Sequence, residues 1–142
     1  MLHEMITKKH LFYLISIGFF IYLCVLLFGY YSANAKPKII IETDVLTTAF
    51  VNDEEKANTL YTNQLILVSG IVKEINYLNQ KNTIILHSNN TARVICELDD
   101  NQSHKLATLH KNQKIRIKGI CKGFLKDVIL LNCHLETIKT NE

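Results

Sequence analysis

Several motifs that carry catalysis are missing from this sequence. It has no C-x-x-C pair, no glycine-rich phosphate loop and no cluster of carboxylates in an apolar context. Thiol–disulfide exchange and phosphate binding commonly rely on such motifs, and no nucleophile–base pair stands out either. Charge is nearly balanced, with 16 Lys+Arg, 13 Asp+Glu and a net charge of +3. A strongly basic balance, the usual sign of a nucleic-acid partner, is absent. We therefore predict a protein that is not an enzyme and that needs no cofactor.

The most apolar segment lies near the N-terminus. Residues 11–31 contain no charged side chain over 21 positions. As a helix this segment would be about 31 Å long, which matches the roughly 30 Å hydrocarbon core of a bilayer. We expect a transmembrane anchor over 11–31, preceded by a flank over residues 1–10.

A cleaved signal peptide is the other interpretation of this segment. Lys8 and Lys9 precede the apolar run, and Ala33-Asn34-Ala35 forms an A-x-A site after it. Signal-peptide cores usually span about 7–15 residues, so the length favours the anchor. Either interpretation translocates the rest of the chain. The expected localisation is therefore a single-pass membrane protein with its C-terminal domain outside the cytoplasm, on the periplasmic side.

The remainder of the chain has the pattern of a small β-rich domain. Residues 32–43 form a predicted linker, and the predicted domain covers 44–142. A helical spacing of apolar residues runs from Asp44 to Tyr61, with Thr43 as its N-cap and a restart at Asn52-Asp53. From Gln64 onward the apolar period changes to two, which indicates strands. The predicted strands cover residues 66–73, 83–87, 93–98, 115–119 and 129–136, and a short helix ends near Asn112.

Five short strands with one helix between the third and fourth is the order of an OB-fold, a partly open barrel. The predicted fold is thus mainly β: a five-stranded OB-fold barrel with an N-terminal helical segment, preceded by the transmembrane helix. Gly70 and Gly119 fall in strands one and four, where a small barrel coils sharply.

Several segments recur in order along the domain: 52–58 with Tyr61, 68–72, 94–96, 113–123 and 127–133. Together they resemble the tRNA-anticodon-like OB-fold family of small bacterial exported proteins. The resemblance implies a fold and a membrane-linked or lipoprotein setting, and no particular activity. Its order and spacing are more specific than any one segment. One departure is Asn112, where the family often has glycine; both residues tolerate a left-handed conformation.

The three cysteines of the domain fall on the inward-facing positions of their strands. Buried thiols are one interpretation of Cys96, Cys121 and Cys133, because cysteine is often a small apolar core residue. A disulfide is the other, and it favours Cys96 with Cys133, because strands three and five of an OB barrel are adjacent and parallel. A metal site is not predicted, because Cys133 and His134 are consecutive strand residues and point to opposite faces.

A run of basic residues supplies the candidate ligand-binding surface. Seven Lys or Arg and no acid occur from Lys105 to Lys126. Against nucleic acid, the domain has few aromatic residues for stacking bases, none in a predicted strand, and Glu97 lies on the outward face of strand three. We therefore predict an unidentified protein or peptide of the cell envelope as the partner, with nucleic acid as the alternative. The candidate residues are Lys114, Arg116, Lys118, Lys122 and Arg93.

Overall fold

The computed structural model of the chain describes residues 13–27, 36–78 and 80–136. The chain divides into two compact units, Met1–Ala35 and Lys36–Glu142. In the first unit, the described residues 13–27 are helical, and we call this segment α1.

The prediction of a transmembrane anchor is not supported by the structure. No helix within the described ranges combines the length and the apolar character needed to cross a membrane. The predicted anchor over 11–31 and the single-pass localisation with an external C-terminal domain are therefore wrong. Positions 11, 12 and 28–31 of that segment, and the A-x-A site at 33–35, lie outside the described residues.

The second unit is built mainly from strands. Five of them form the barrel, in which the order β2-β3-β4-β6-β5 closes because β5 pairs back onto β2. Strand β1 lies outside this ring and pairs in parallel with the first half of β2. The elements are β1 (Ile39–Glu42), α2 (Thr43–Asn52), α3 (Glu54–Tyr61), β2 (Leu65–Leu78), β3 (Lys81–Leu86), β4 (Val94–Leu98), a 3₁₀ helix (Asp100–Thr108), β5 (Lys114–Leu125) and β6 (Asp127–Glu136).

The apolar alternation of the strands fills the barrel. Alternate residues such as Ile66, Val68 and Ile117 are fully buried, and helix α2 adds Leu46 and Phe50 to the same core. Removing these side chains from water is the main driving force for the fold. The fold prediction of a five-stranded OB-type barrel with one short helix between its third and fourth strands is confirmed in this unit.

Three local predictions differ from the structure. The predicted linker 32–43 contains β1, because Ile39 and Ile41 pack on the core while Ile40 points outward. Thr43 is not an N-cap: it is the first helical residue, and its Oγ1 donates to the carbonyl oxygen of Ser69 at 2.9 Å. Strand β2 continues through residues predicted as a turn, so the β2–β3 hairpin is tighter than expected.

Gly70 lies where β2 leaves β1 and begins to pair with β3. A Cβ at this position would collide with Thr43 Oγ1 and would approach Leu86 Cδ1 to 3.1 Å. The glycine is therefore required by the close approach of helix α2 to the strand. The restart of the helix at Asp53 is confirmed, since the Asp53 side chain accepts a hydrogen bond from the Lys56 backbone at 3.0 Å.

Candidate functional site

The basic residues of β5 alternate on one face of the strand, as predicted. Ile115 and Ile117 belong to the buried core, whereas Lys114 is exposed and Arg116 is half-buried. Lys118 follows the same alternation as these two cations but is itself buried. Strand β5 pairs with β2 on one side and with β6 on the other, so a residue where both registers run has a neighbour on each side. Arg116, for example, is opposite Ser69 and Glu136.

We call Lys114, Arg116 and Lys118 the basic stripe of β5. Carboxylates from neighbouring strands offset the positive charge of this stripe. Lys114 Nζ lies 3.8 Å from the carboxylate of Glu42 on β1. Lys118 Nζ lies 3.7 Å from the carboxylate of Glu136 on β6, and the Lys118 side chain is only 10% exposed. The stripe is therefore largely compensated, and it does not form an open cationic ridge.

The other two candidate cations lie apart from the stripe. Arg93 forms a bidentate pair with Asp127, with Nε at 3.2 Å and Nη2 at 2.6 Å from the two carboxylate oxygens. Burial alone would raise the pKa of Asp127, but the hydrogen bonds and charge of Arg93 outweigh it and lower the pKa. Lys122 is exposed and donates to Asn63 Oδ1 at 3.0 Å. Because its guanidinium is paired with Asp127 at the start of β6, Arg93 connects the start of β4 to β6.

The outer face of β3 and β4 carries acids between aliphatic residues. The strand registers place Glu74, Ile85, Ile95 and Ile129 in one row across the sheet, and Glu97 pairs with Thr83 in the next. No cation lies in these two described rows. This is the face that OB-folds commonly use for oligonucleotides, and its carboxylates would repel phosphates.

The aromatic residues of the domain mostly pack on each other. The Phe50 ring centroid lies 5.6 Å from that of Phe124 and 6.0 Å from that of Tyr61. Phe124 and Tyr77 lie in strands, although neither was predicted to. Tyr77 is 68% exposed. The residues on the faces just described thus lack a series of rings on which bases would stack.

Cys96, Cys121 and Cys133 are completely buried, as their strand positions predicted. The structure brings Cys96 and Cys133 together as free thiols. Burial raises the pKa of the Cys133 thiol, and its interaction with Cys96 raises it further. The raised pKa of Cys133 disfavours its thiolate, which is the reactive form of cysteine. The disulfide between them stays a prediction. Among the described residues no His, Cys, Asp and Glu side chains group in a way that suits a metal ion.

Three depressions meet where the segment after the 3₁₀ helix enters β5. The first has a volume of about 320 Å³ and lies between Lys105 and Lys114. The second, of about 160 Å³, lies between Lys114 and His87. The third, of about 490 Å³, is lined by Ile71, Val72, Lys73, His87, Lys111 and Asn112. Because neighbouring depressions share Lys114, or Ile71 and His87, we treat them as one trough and call the third depression the Lys73–Lys111 pocket.

The backbone around the trough is well fixed. Asn112 N donates to Val72 O at 2.8 Å, and Val72 N donates to Gln113 O at 2.9 Å. Asn112 adopts a positive φ of 68°, which asparagine tolerates better than most residues. His87 N donates to Ile71 O at 2.8 Å, which ties the end of β3 to the same bend of β2.

Charge changes along the trough. Glu42 and Asp44 line the second depression, and Glu136 lines the first. The Lys73–Lys111 pocket has no carboxylate in its wall. Within the described part of the chain, Lys73 and Lys111 form no ion pair or side-chain hydrogen bond. These are therefore the least compensated cations of the trough.

The sequence pattern gives no signal for Lys73 or His87 as candidate ligand-binding residues. Lys111 belongs to the basic run from Lys105 to Lys126 but is not among the predicted candidates. These residues are brought together by strand pairing, because the first and fourth strands of the barrel, β2 and β5, are neighbours. The end of the first strand therefore meets the start of the fourth, which places Lys73 near Lys111.

A closed barrel with this strand order and helix position is an OB-fold. The sequence matches the tRNA_anti-like family over residues 1–135, and the chain belongs to that family. The family resemblance inferred from the sequence segments is thus confirmed. No curated protein matches the sequence.

Three solved structures match the chain at low sequence identity. A candidate nucleic acid-binding lipoprotein from Klebsiella pneumoniae subsp. pneumoniae is 13% identical with a TM-score of 0.57, over 68% of this chain and 91% of that chain. A chain of the S. pombe Stn1-Ten1 complex is 14% identical with a TM-score of 0.44, over 53% and 58%. Asparaginyl-tRNA synthetase from Entamoeba histolytica is 10% identical with a TM-score of 0.46, over 75% and 26%. At 13% identity, the likeness to the first of these structures concerns the fold alone.

Proposed function

We propose that this OB domain is a non-catalytic binding module whose ligand is a protein segment or peptide held in the trough. The observation that carries the proposal is the change of charge along the trough. Glu42 and Asp44 lie at its middle. Lys73 and Lys111, which form no ion pair with any residue that the structure describes, lie at one end. A peptide offers charges of both signs and apolar side chains, so it complements such a surface.

A uniform polyanion complements it poorly. Phosphates along the trough would meet the carboxylates of Glu42, Asp44 and Glu136. The basic stripe of β5, on which a nucleic-acid function would depend, is offset by Glu42 and Glu136. Apolar contact is available instead, since Ile71 is 43% exposed in the wall shared by two depressions.

The test is a selection of random displayed peptides on the immobilised full chain, followed by affinity measurements on the enriched peptides. We expect Ile71→Asp to weaken binding by about tenfold or more, because it places a charge in a contact that excludes water. The matched control is Leu125→Asp, since Leu125 is 84% exposed at a hairpin and lines none of the three depressions.

Two results would contradict the proposal. The first is a set of peptides that bind Ile71→Asp as tightly as the unchanged chain. The second is tight binding of a mixed-sequence single-stranded oligonucleotide with an affinity that falls steeply with salt, which is the sign of phosphate contacts. That second result would favour the nucleic-acid alternative.

A further inference from the structure

The Lys73–Lys111 pocket differs chemically from the rest of the trough. Two lysines and His87 stand around a wall formed by Ile71 and Val72. Ile71 offers an exposed aliphatic side chain, whereas Val72 is fully buried beneath it. The pocket is also the largest of the three depressions described above.

The lysines have no internal counter-charge in the described part of the chain. The carboxylates nearest along the trough are engaged elsewhere. Glu42 lies 3.8 Å from Lys114, and Asp44 accepts hydrogen bonds from the Asn89 backbone and side chain, both at 2.7 Å. Two unpaired ammonium groups beside an apolar wall attract an anion that carries an aliphatic group, because such a ligand satisfies both.

We propose that the Lys73–Lys111 pocket is a carboxylate subsite that takes a carboxylate attached to an aliphatic side chain. The inference rests on the proposed function in that the carboxylate belongs to a peptide. Such a carboxylate has two sources: the C-terminus of a peptide that ends in an aliphatic residue, or an acidic side chain. Both present the same chemistry to Lys73 and Lys111.

The experiment is a titration of the ¹⁵N-labelled full chain, followed by amide chemical shifts. The probe is N-acetyl-leucine, which carries a terminal carboxylate beside an aliphatic side chain. Its neutral counterpart is N-acetyl-leucinamide, and N-acetyl-glutamic acid α-amide carries the carboxylate on its side chain instead. We expect N-acetyl-leucine to bind in about the millimolar range and to shift the amides of Val72, Lys73, Lys111 and Asn112.

Substitutions give the sharper criterion. Lys73→Gln and Lys111→Gln should each weaken binding of N-acetyl-leucine by about threefold or more, because each removes one ammonium partner. Lys126→Gln is the matched control, since this exposed lysine lines none of the three depressions. The neutral amide should bind about threefold or more weakly than the acid.

Equal binding of the acid and its amide would overturn the subsite, and so would lysine substitutions that change nothing or shifts confined to other amides. Stronger binding of the glutamic acid derivative would support the subsite and identify the side chain as the source of the carboxylate. The proposed function fails separately. If the acid binds here but no selected peptide depends on Ile71, the peptide proposal is wrong and the subsite remains.

Discussion

The pair between Arg93 and Asp127 gives the most direct test of the energetics. Asp127 accepts three hydrogen bonds from one residue: Arg93 N at 2.8 Å, Nε at 3.2 Å and Nη2 at 2.6 Å. Its side chain is 8% exposed, whereas that of Arg93 is 36% exposed. A backbone hydrogen bond joins the same two segments, because Val128 N donates to Arg93 O at 2.9 Å. Together these bonds join the start of β4 to the start of β6.

Asp127→Asn should therefore destabilise the domain substantially. The amide group would replace one acceptor with a donor that faces the guanidinium. Removing one partner of a fully buried pair costs about 3–5 kcal/mol, and an exposed pair contributes less than about 1 kcal/mol. Because water screens the Arg93 side of this pair, we expect a loss of about 2 kcal/mol in the free energy of unfolding at neutral pH.

The pH dependence provides a second criterion. The pKa of Asp127 is lower in the folded chain than its ordinary value, so the unfolded chain binds the proton more readily. The contribution of the pair is then fully present above about pH 4 and is lost as the pH falls through the folded-state pKa. The variant and the unchanged chain should thus approach the same stability in strong acid.

Urea unfolding followed by circular dichroism, at neutral pH and near pH 2, measures both effects. Asp100→Asn is the matched control: Asp100 lies 2.7 Å from Lys81 Nζ, but its side chain is 83% exposed, so no resolvable change is expected. The reasoning is refuted if Asp127→Asn costs no more than Asp100→Asn, or if its cost is the same in strong acid as at neutral pH.

Three further substitutions test other parts of the fold. Gly119→Ala should lower the free energy of unfolding by about 1–3 kcal/mol, measured by thermal unfolding, because its Cβ would lie 2.6 Å from Cys133 Sγ. Adding Cys133→Ala should recover part of that loss, and full additivity of the two substitutions would contradict this. Thr47→Val should lower the free energy of unfolding by about 1–2 kcal/mol and speed hydrogen exchange of the backbone amides at 88–90. The reason is that the buried Thr47 Oγ1 is hydrogen-bonded to Ser88 Oγ at 2.8 Å and to Asn90 Nδ2 at 2.9 Å. Unchanged exchange at these amides would count against this. Burial lowers the pKa of His134, although the charge of Asp99 opposes the shift. The stability that His134 contributes is therefore complete above about pH 6.5 and falls as the pH decreases below that value. His134→Gln should remove this part of the pH dependence of unfolding, whereas substitution of the exposed His104 by Gln should leave it in place.

Periodicity predicted the barrel strands because burial acts on alternate residues. Ile66, Val68 and Ile117 face the core at the expected positions, and Cys96 meets Cys133 because the OB topology makes their strands neighbours. Strand ends were less predictable. β5 runs past a register shift near Gly119, and such irregularities depend on contacts with Cys133 and Leu131 that are distant in sequence.

The candidate site shows why charge is harder to predict than burial. Alternation correctly placed Lys114, Arg116 and Lys118 on one face, but a free cation must also lack a partner, and partners come from other strands. Glu42 belongs to a strand that the sequence pattern presented as linker. Glu136 reaches Lys118 only through the antiparallel register of β5 and β6.

Strand pairing also explains Lys73, which has no basic neighbour along β2 and therefore gives no signal in the sequence. It belongs with Lys111 because the bend of β2 is hydrogen-bonded to the segment that precedes β5. A count of basic residues along β5 overestimates the charge available there and overlooks the charge at the bend. The position of unpaired cations is thus a property of strand pairing, and it points to one end of the trough rather than to the strand with most lysines.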